Sequence, residues 1–404
     1  MYKIDKLPVE NTQPWLRPQA ERISWILSAK ENNLKTVVFL YEAPDSSTFR
    51  YRVYNVCQTL EFGLSWRGSW FYADELNFVK KYIDKIDLIV ISRFRWTFEL
   101  ESLISSAKRC GIRIAFDVDD MVYDIKHIPA VVNTLSVDMS NPGNMEFWFS
   151  YISRLQLSAS LADVMITTNE FLAKKIRIDS NKDVYIIQNF YNKLQSDFSD
   201  KFYAQKQTLS SENDFVLGYF SGSPTHIIDF LSIAPEIIKL LNKYDDITIK
   251  ILGYMDLPSD FDKWLKMGRI VKDPFVDFIE LQRKIAEVDV NLVPLVNNDF
   301  SNCKSELKFY EASIVGTVTC AAPSYVFKEA IEHGVTGYLC DKGMWLPTLE
   351  MLYLSRKQGF TEITSNARKY CVGKYAYFNQ TLYIEEIFEN IFSERKKIGG
   401  IYEL

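Results

Sequence analysis

The sequence has few histidines, few cysteines and no long hydrophobic run. It contains 3 histidines and 6 cysteines among 404 residues, and the cysteines are scattered, without a CxxC pair or a histidine at ligand spacing. We therefore expect no structural zinc site and interpret the cysteines as reduced, mostly buried thiols of a cytoplasmic protein. No apolar run approaches the roughly 20 residues that span a bilayer, and the first residues lack the basic and then apolar layout of a signal peptide.

An excess of basic charge is also missing. Lys+Arg 47 against Asp+Glu 52 leaves a net charge of −5, which argues against a general nucleic-acid binder. Hydrophobic residues make up 47% of the chain and charged residues 25%, values that are typical of soluble globular proteins. A chain of 404 residues is too long for one ordinary core, so two domains are expected.

Short apolar stretches alternate with helical patterns along most of the chain. Such alternation predicts a parallel sheet with right-handed crossovers. Because it stops and starts again, the predicted fold class is α/β, with two tandem Rossmann-like, doubly wound domains that face a central cleft. The predicted strands are 35–42, 87–93, 112–120, "DVMITT" and "DVYIIQN" in the first domain, and 215–220, 247–255, 289–296, 317–322 and 337–340 in the second.

The predicted domain boundaries follow a polar stretch that interrupts the alternation. Residues 1–190 form the predicted acceptor-side domain, 191–213 the linker, and 214–375 the donor domain. The helical pattern within 376–404 lies beyond the second sheet, and packing against the first domain is one option for it.

The loop "SGSPTH" follows the strand at 215–220 and precedes a helix. Gly222, Ser223 and Thr225 can bring backbone N–H groups and hydroxyls to a helix N-terminus, where anions bind. Ser and Thr are also ordinary N-caps, and a lone histidine such as His226 is more often a capping or packing residue than a catalyst. Both interpretations of this loop stay open.

The stretch "KSELKFYEAS" (304–313) predicts a helix with Lys304, Lys308 and Glu311 along one narrow stripe. A solvated face is the simpler interpretation. However, this helix and "SGSPTH" both follow carboxyl ends of strands, so they lie at the same side of one parallel sheet. The lysines would bind a diphosphate, which relieves their mutual repulsion, and Glu311 would accept ribose hydroxyls.

Acidic residues follow the strand at 112–120. Asp119 or Asp120 could deprotonate or position an acceptor hydroxyl, although an acidic strand end that caps the next turn or, less favoured, a metal site would also explain them and Asp117. Arg50 and Arg52, in the first turn of a helix, oppose its dipole and so call for an anionic partner. That partner is Asp119, a donor phosphate or an anionic acceptor, and a plain surface role is the alternative.

Aromatic residues are concentrated in "MEFWFSYISRL" (145–155). Together with Trp66, Trp70 and Trp96 they would suit a sugar-stacking or lipid-facing acceptor site. Aromatic residues at helical spacing more often belong to the core.

These motifs, in the order in which they occur along the chain, resemble those of a GT-B fold glycosyltransferase, closest to the group 1 (family 4) retaining class. The matching pieces span about residues 35–375. They are "FRYRVYN", "FDVDD", "DVMITTNEFLAKKIR", "YIIQN", "LGYFSGSPTHIIDF", "KSELKFYEAS" with "GTVTCAA", and "GVTGYLC".

The resemblance implies transfer of a sugar from a nucleotide-sugar donor, with retention and without a catalytic metal. It implies that Glu311 holds the donor ribose, Lys308 the diphosphate, and the loop Gly222 to His226 the phosphate side. Two departures stand out. Cys303 occupies the position of a second Glu that is common in the family, and "FDVDD" stands where the family usually has a histidine.

We therefore predict a hexosyl- or deoxyhexosyltransferase with a UDP-, dTDP- or GDP-linked donor and a glycan or lipid-linked acceptor. It would act in bacterial surface polysaccharide biosynthesis, without a cofactor or metal and without nucleic acid. Asp119 and Asp120 are the predicted catalytic residues. The predicted location is cytoplasmic, and peripheral association with the inner face of the membrane stays open. The alternatives are a nucleotide-sugar epimerase of the same architecture and a non-catalytic nucleotide or sugar binder, which the cysteine at 303 supports.

Overall fold

The computed structural model describes residues 1–135, 137–209, 215–222, 227–253 and 255–399. These residues form two compact units, each built around a six-stranded sheet. The first unit contains Gln13–Asn192, Cys303–Ser305 and the residues from Tyr377 on, and the second contains Met1–Thr12, Lys193–Asn302 and Glu306–Ala376.

The first unit has a parallel sheet with strand order β2-β1-β3-β4-β5-β6. Its inner strands are buried along nearly their whole length, as expected for a parallel sheet that is covered on both faces. Its strands are β1 Lys35–Leu40, β2 Trp66–Phe71, β3 Leu88–Ser92, β4 Arg113–Asp117, β5 Val164–Thr167 and β6 Val184–Ile186. Its helices before the second unit are α1 Gln19–Glu31, α2 Asn55–Leu60 (preceded by a π-helical turn, Arg50–Tyr54), α3 Leu76–Lys80, α4 Phe98–Arg109, α5 Ile128–Thr134, α6 Pro142–Leu161 and α7 Glu170–Ser180.

The second unit has a parallel sheet with strand order β12-β11-β10-β7-β8-β9. Its strands are β7 Phe215–Phe220, β8 Ile247–Leu252, β9 Ile270–Asp273, β10 Val290–Val293, β11 Val318–Ala321 and β12 Tyr338–Leu339. Its helices are α8 Lys193–Thr208, α9 Ile227–Leu231, α10 Ala234–Lys243, α11 Asp262–Lys266, α12 Phe278–Ala286, α13 Asp299–Asn302, α14 Leu307–Ser313, α15 Tyr325–Ala330, α16 Trp345–Ser355 and α17 Thr361–Tyr375. The predicted fold class, two doubly wound parallel-sheet units, is confirmed.

The stretch 191–213, predicted as a linker, contains the 16-residue helix α8. This helix packs in the second unit, where its buried face includes Phe198 and Phe202 and the Ser199 hydroxyl donates to the Gln282 amide oxygen at 3.1 Å. The helix was not predicted from the sequence, because only one narrow face of it is apolar and its composition is otherwise polar.

The last helix, α18 (Thr381–Gly399), belongs to the first unit. The Glu385 carboxylate accepts hydrogen bonds from the backbone N–H groups of Ser65 and Trp66 at 2.7 and 2.9 Å. The Phe388 ring packs edge-on against Trp66, with 5.6 Å between the centroids. Because this carboxylate satisfies the N–H groups at the start of β2, α18 is part of the sheet's cover.

Among the described residues, none of the helices combines the length and the apolar composition that a bilayer crossing requires.

Candidate functional site

The carboxyl edge of the second sheet is shaped by two glycines. Gly253 follows β8 with φ +106°, and a Cβ there would stand 2.0 Å from the Ser221 carbonyl oxygen, so only glycine fits. At Gly222, by contrast, no described residue has a heavy atom within 4 Å of the position that a Cβ would take. The ends of β7 and β8 therefore approach closely, while none of the described residues crowds Gly222 after β7.

The predicted helix 304–313 begins three residues later, at Leu307. Glu306 is its first flanking residue, and the buried Glu306 carboxylate accepts a hydrogen bond from the Tyr375 hydroxyl at 2.7 Å. Lys304 thus lies outside the helix, and the predicted three-residue stripe is wrong at that position. Lys308 and Glu311 do share one face of α14.

Lys308 reaches the carboxyl edge of the second sheet. Its ammonium donates to the Phe220 carbonyl oxygen at the end of β7 and lies 5.6 Å from the centroid of the Tyr219 ring. Glu311, one turn further along α14, is 4% exposed. The structure therefore brings Lys308 next to the strand that leads into Gly222, while Ser223, Thr225 and His226 lie outside the described residues.

In the first unit, Asp117 and Arg52 form a buried ion pair. The guanidinium donates from Nε to Oδ2 at 3.1 Å and from Nη2 to Oδ1 at 2.5 Å, and Nη1 donates to the Ile187 carbonyl oxygen at 2.5 Å. The Ser92 hydroxyl also donates to Asp117, at 2.9 Å. Arg52 is 1% exposed and pairs with Asp117, a partner that the sequence analysis did not name for it. Its predicted role on the acceptor or phosphate side stays a prediction.

Arg50 is also buried, at 3% exposure. Its Nε donates to the Ser46 carbonyl oxygen at 2.7 Å, and its guanidinium lies 4.0 Å from the centroid of the Tyr51 ring. The predicted role of Arg50 on the acceptor or phosphate side of the site stays a prediction.

Asp119 is held by an arginine that the sequence analysis missed. Arg93 Nη1 donates to Asp119 Oδ1 at 3.0 Å, and the Thr48 hydroxyl donates to Oδ2 at 3.3 Å. Arg93 directly follows β3 and has φ 42°, a left-handed conformation that is uncommon for a residue with a side chain. Such backbone strain occurs preferentially at functional sites.

Burial raises the pKa of the Asp119 carboxyl, but the charges of Arg93 and Arg52 and the hydrogen bond from Arg93 outweigh it and hold the pKa below its ordinary value. Asp119 is therefore a carboxylate at neutral pH. It can accept a hydrogen bond or stabilise positive charge, whereas its low basicity makes it a weak proton acceptor.

Asp120 faces Lys304. The Lys304 ammonium lies 3.4 Å from Asp120 Oδ2, and both side chains are partly exposed. The tripeptide Cys303–Ser305 is anchored in the first unit, since Asn169 Nδ2 donates to the Cys303 carbonyl oxygen at 2.9 Å and Asn189 Nδ2 donates to the Ser305 hydroxyl at 2.9 Å. Lys304 thus contacts Asp120, which follows β4.

Within the described residues, no group of three or more His, Cys, Asp or Glu side chains is arranged to hold a metal ion. Asp117, Asp119 and Asp120 each contact a cationic side chain of the protein.

No family model matches the chain, and no curated protein matches it by sequence. Solved structures do match in fold. HepE from Anabaena in complex with UDP is 14% identical, with a TM-score of 0.59 over 88% of this chain and 100% of that chain. A glycosyltransferase from Rickettsia africae is 11% identical, with a TM-score of 0.58 over 89% and 99%. Sucrose-phosphate synthase from Thermosynechococcus elongatus is also 11% identical, with a TM-score of 0.56 over 89% and 100%. The chain therefore has the GT-B fold of these proteins.

Proposed function

We propose that this protein is a glycosyltransferase that moves a sugar from a nucleotide-sugar donor to an acceptor hydroxyl. The observation that carries the proposal is Lys308 at the carboxyl edge of the second sheet, where it donates to the strand that leads into Gly222, with Glu311 one helical turn away. Doubly wound sheets bind ligands at this edge. HepE, which is similar in fold, has been solved with UDP and with UDP-glucose.

The donor diphosphate would bind at Lys308. An ammonium that donates to a neutral carbonyl oxygen gains a stronger, charge-assisted hydrogen bond when a phosphate oxygen takes that place. Gly222, Ser223, Thr225 and His226 would complete the phosphate side, and Glu311 would accept the ribose hydroxyls.

The acceptor would bind at the edge that carries Asp119 and Asp120. In the transfer, the acceptor oxygen forms a bond to the anomeric carbon, and the bond from that carbon to the diphosphate oxygen breaks. The nucleoside diphosphate leaves with the bonding electron pair, and the hydroxyl proton passes to a carboxylate. Because the pKa of Asp119 is lowered, we assign orientation of the hydroxyl to Asp119 and proton transfer to Asp120.

The finer features of the proposal follow the resemblance. They are the retaining family 4 class, transfer of a hexose or deoxyhexose from a UDP, dTDP or GDP donor, and a glycan or lipid-linked acceptor. They also include a cytoplasmic role in bacterial surface polysaccharide biosynthesis, with peripheral membrane association open. With Lys308 neutralising the leaving group, no metal is needed, so turnover should survive EDTA. Loss of turnover that Mg²⁺ or Mn²⁺ restores would contradict this.

A non-catalytic nucleotide binder is the second candidate, because Cys303 is fully buried where the family commonly has a glutamate. Isothermal titration with UDP, dTDP and GDP tests binding, and nucleoside diphosphate release from the corresponding nucleotide sugars tests turnover. The glycosyltransferase proposal expects both. Binding without release under any acceptor condition would favour the binder, and absence of binding would defeat both candidates.

A further inference from the structure

Helix α6 exposes large aromatic side chains in its first half. Ile152 and Leu155, in its second half, are fully buried. Phe147 and Phe149 are 54% and 48% exposed. A cluster of exposed apolar rings with polar groups around it is typical of a binding site, whereas single exposed hydrophobic residues need no explanation.

Exposed Phe147 packs against two half-buried aromatic residues of the same helix, Trp148 and Tyr151. The Phe147 and Tyr151 rings lie nearly parallel, with an interplanar angle of 16° and centroids 5.8 Å apart. Trp148 packs edge-on against both, with centroid distances of 5.5 Å to Phe147 and 6.1 Å to Tyr151. We call these three residues the aromatic platform.

The aromatic platform is joined to the candidate carboxylate by one arginine. Arg93 donates from Nη2 to the Tyr151 hydroxyl at 3.0 Å and from Nη1 to Asp119 at 3.0 Å. The Arg95 guanidinium lies 5.6 Å from the centroid of the Tyr151 ring and is paired with Glu42. The aromatic platform is therefore linked through Tyr151 to charged side chains at the carboxyl edge of the first sheet.

This combination fits a sugar ring. A pyranose presents C–H groups on one face, which pack against an aromatic ring, and hydroxyls at its rim, which hydrogen-bond to charged side chains. A hydrocarbon chain would pack on the rings but would make no hydrogen bonds with the Tyr151 hydroxyl or with the charged groups of Arg93, Arg95 and Glu42. We propose that the aromatic platform is a subsite for a pyranose ring of a saccharide acceptor. That the bound saccharide is the acceptor of a transfer reaction rests on the proposed function, whereas the binding of a saccharide here does not.

The test is saturation-transfer NMR with methyl pyranosides of glucose, galactose, mannose, N-acetylglucosamine and rhamnose, and with n-octyl β-glucopyranoside. We expect ring C–H protons of at least one methyl pyranoside to receive saturation. Phe147→Ala should weaken that sugar's binding about tenfold, since it removes the exposed stacking face. Phe149→Ala is the matched control, because Phe149 is similarly exposed on the same helix but lies outside the stacked pair, and it should leave binding unchanged.

Three outcomes would overturn the subsite. They are no saturation of any methyl pyranoside, equal losses in both variants, and saturation confined to the octyl chain, which would mark a lipid-binding surface. Titration of the same samples with UDP, dTDP and GDP separates the two proposals. If no nucleotide binds while a pyranoside binds through Phe147, the glycosyltransferase proposal fails and the saccharide site stands.

Discussion

The charged side chains at the carboxyl edges of the two parallel sheets contact different kinds of groups. At the first edge, Asp117 and Asp119 meet Arg52 and Arg93 of the same chain. At the second edge, the Lys308 ammonium donates to a main-chain carbonyl oxygen. Charges that are already paired hold their neighbours in place, whereas a cation on a neutral oxygen gains a stronger bond from an arriving anion. The first edge is therefore organised by its own ion pairs, and for the second edge we propose that Lys308 binds an anion.

The largest expected effect tests the organised edge. Arg52→Leu should lower the free energy of unfolding by about 3–5 kcal/mol, because it leaves the buried Asp117 carboxylate without its cation. Urea denaturation measures the change. Arg95→Leu is the control, since the pair of Arg95 with Glu42 is partly exposed and should contribute roughly 0–1 kcal/mol. Similar decreases in the free energy of unfolding in both variants would mean that the buried ion pair stabilises the protein no more than the partly exposed one.

The next expected effect is on turnover. Asp119→Asn and Asp120→Asn preserve volume and remove charge, so each should lower turnover by about 10²-fold or more. Donor dissociation constants should stay near the wild-type value, because both residues belong to the first unit. Equal loss of donor affinity would place these residues at the nucleotide sugar instead, and wild-type turnover in both variants would make them a structural strand end.

The proposed anion site at the second edge is tested by Lys308→Ala, which should weaken nucleoside diphosphate binding by roughly 1–3 kcal/mol, the range for a charged hydrogen bond. Lys304→Ala should weaken it less, because Lys304 contacts Asp120. Titration calorimetry compares the two variants with the wild type. A larger loss of nucleoside diphosphate affinity from Lys304→Ala than from Lys308→Ala would restore the sequence-based assignment of Lys304 to the diphosphate. It would also contradict the difference proposed between the two edges.

A smaller effect, on the pH dependence of stability, is expected from Lys206, a second lysine whose ammonium donates to uncharged oxygens. Lys206 is buried in the second unit, where its ammonium donates to the Val288 carbonyl and the Thr317 hydroxyl, each at 2.7 Å. Burial lowers the pKa of Lys206 to about 7, although the charge of Asp289 raises it.

In the unfolded chain this lysine titrates near its ordinary pKa, so between pH 7 and that value the unfolded state binds more protons. Stability should therefore rise with pH above 7, by roughly 1 kcal/mol between pH 7 and pH 8, and this contribution should become flat only well below pH 7. Lys206→Met should remove the rise, which urea denaturation across this pH range can measure. A rise that persists in the variant would assign it to other groups.

Most of the sheet architecture could be predicted because strands buried on both faces appear as short apolar runs. The strands β2 and β9 escaped prediction because charged residues interrupt them. Helix α8 escaped it because polar residues dominate its sequence, although Phe198, Phe202 and Lys206 recur at helical spacing on its buried face.

The site could be predicted only in part. Lys308 and Glu311 share a helix, so their spacing was informative, whereas the start of α14 depends on the contact between Glu306 and Tyr375, which are distant in sequence. Arg93 was missed because an arginine after a strand is ordinarily a surface residue. Its role depends on a left-handed backbone and on Asp119, and neither shows in a local pattern.

The place of α18 has a consequence for synthesis on the ribosome. The first unit needs this helix to satisfy the N–H groups at the start of β2, yet the rest of its sheet is complete about 200 residues earlier. At about 5–20 residues per second, the nascent sheet waits roughly 10–40 s for its cover. During that interval the Trp66 edge of the sheet is open, and it is the part of the growing chain that a chaperone would have to shield.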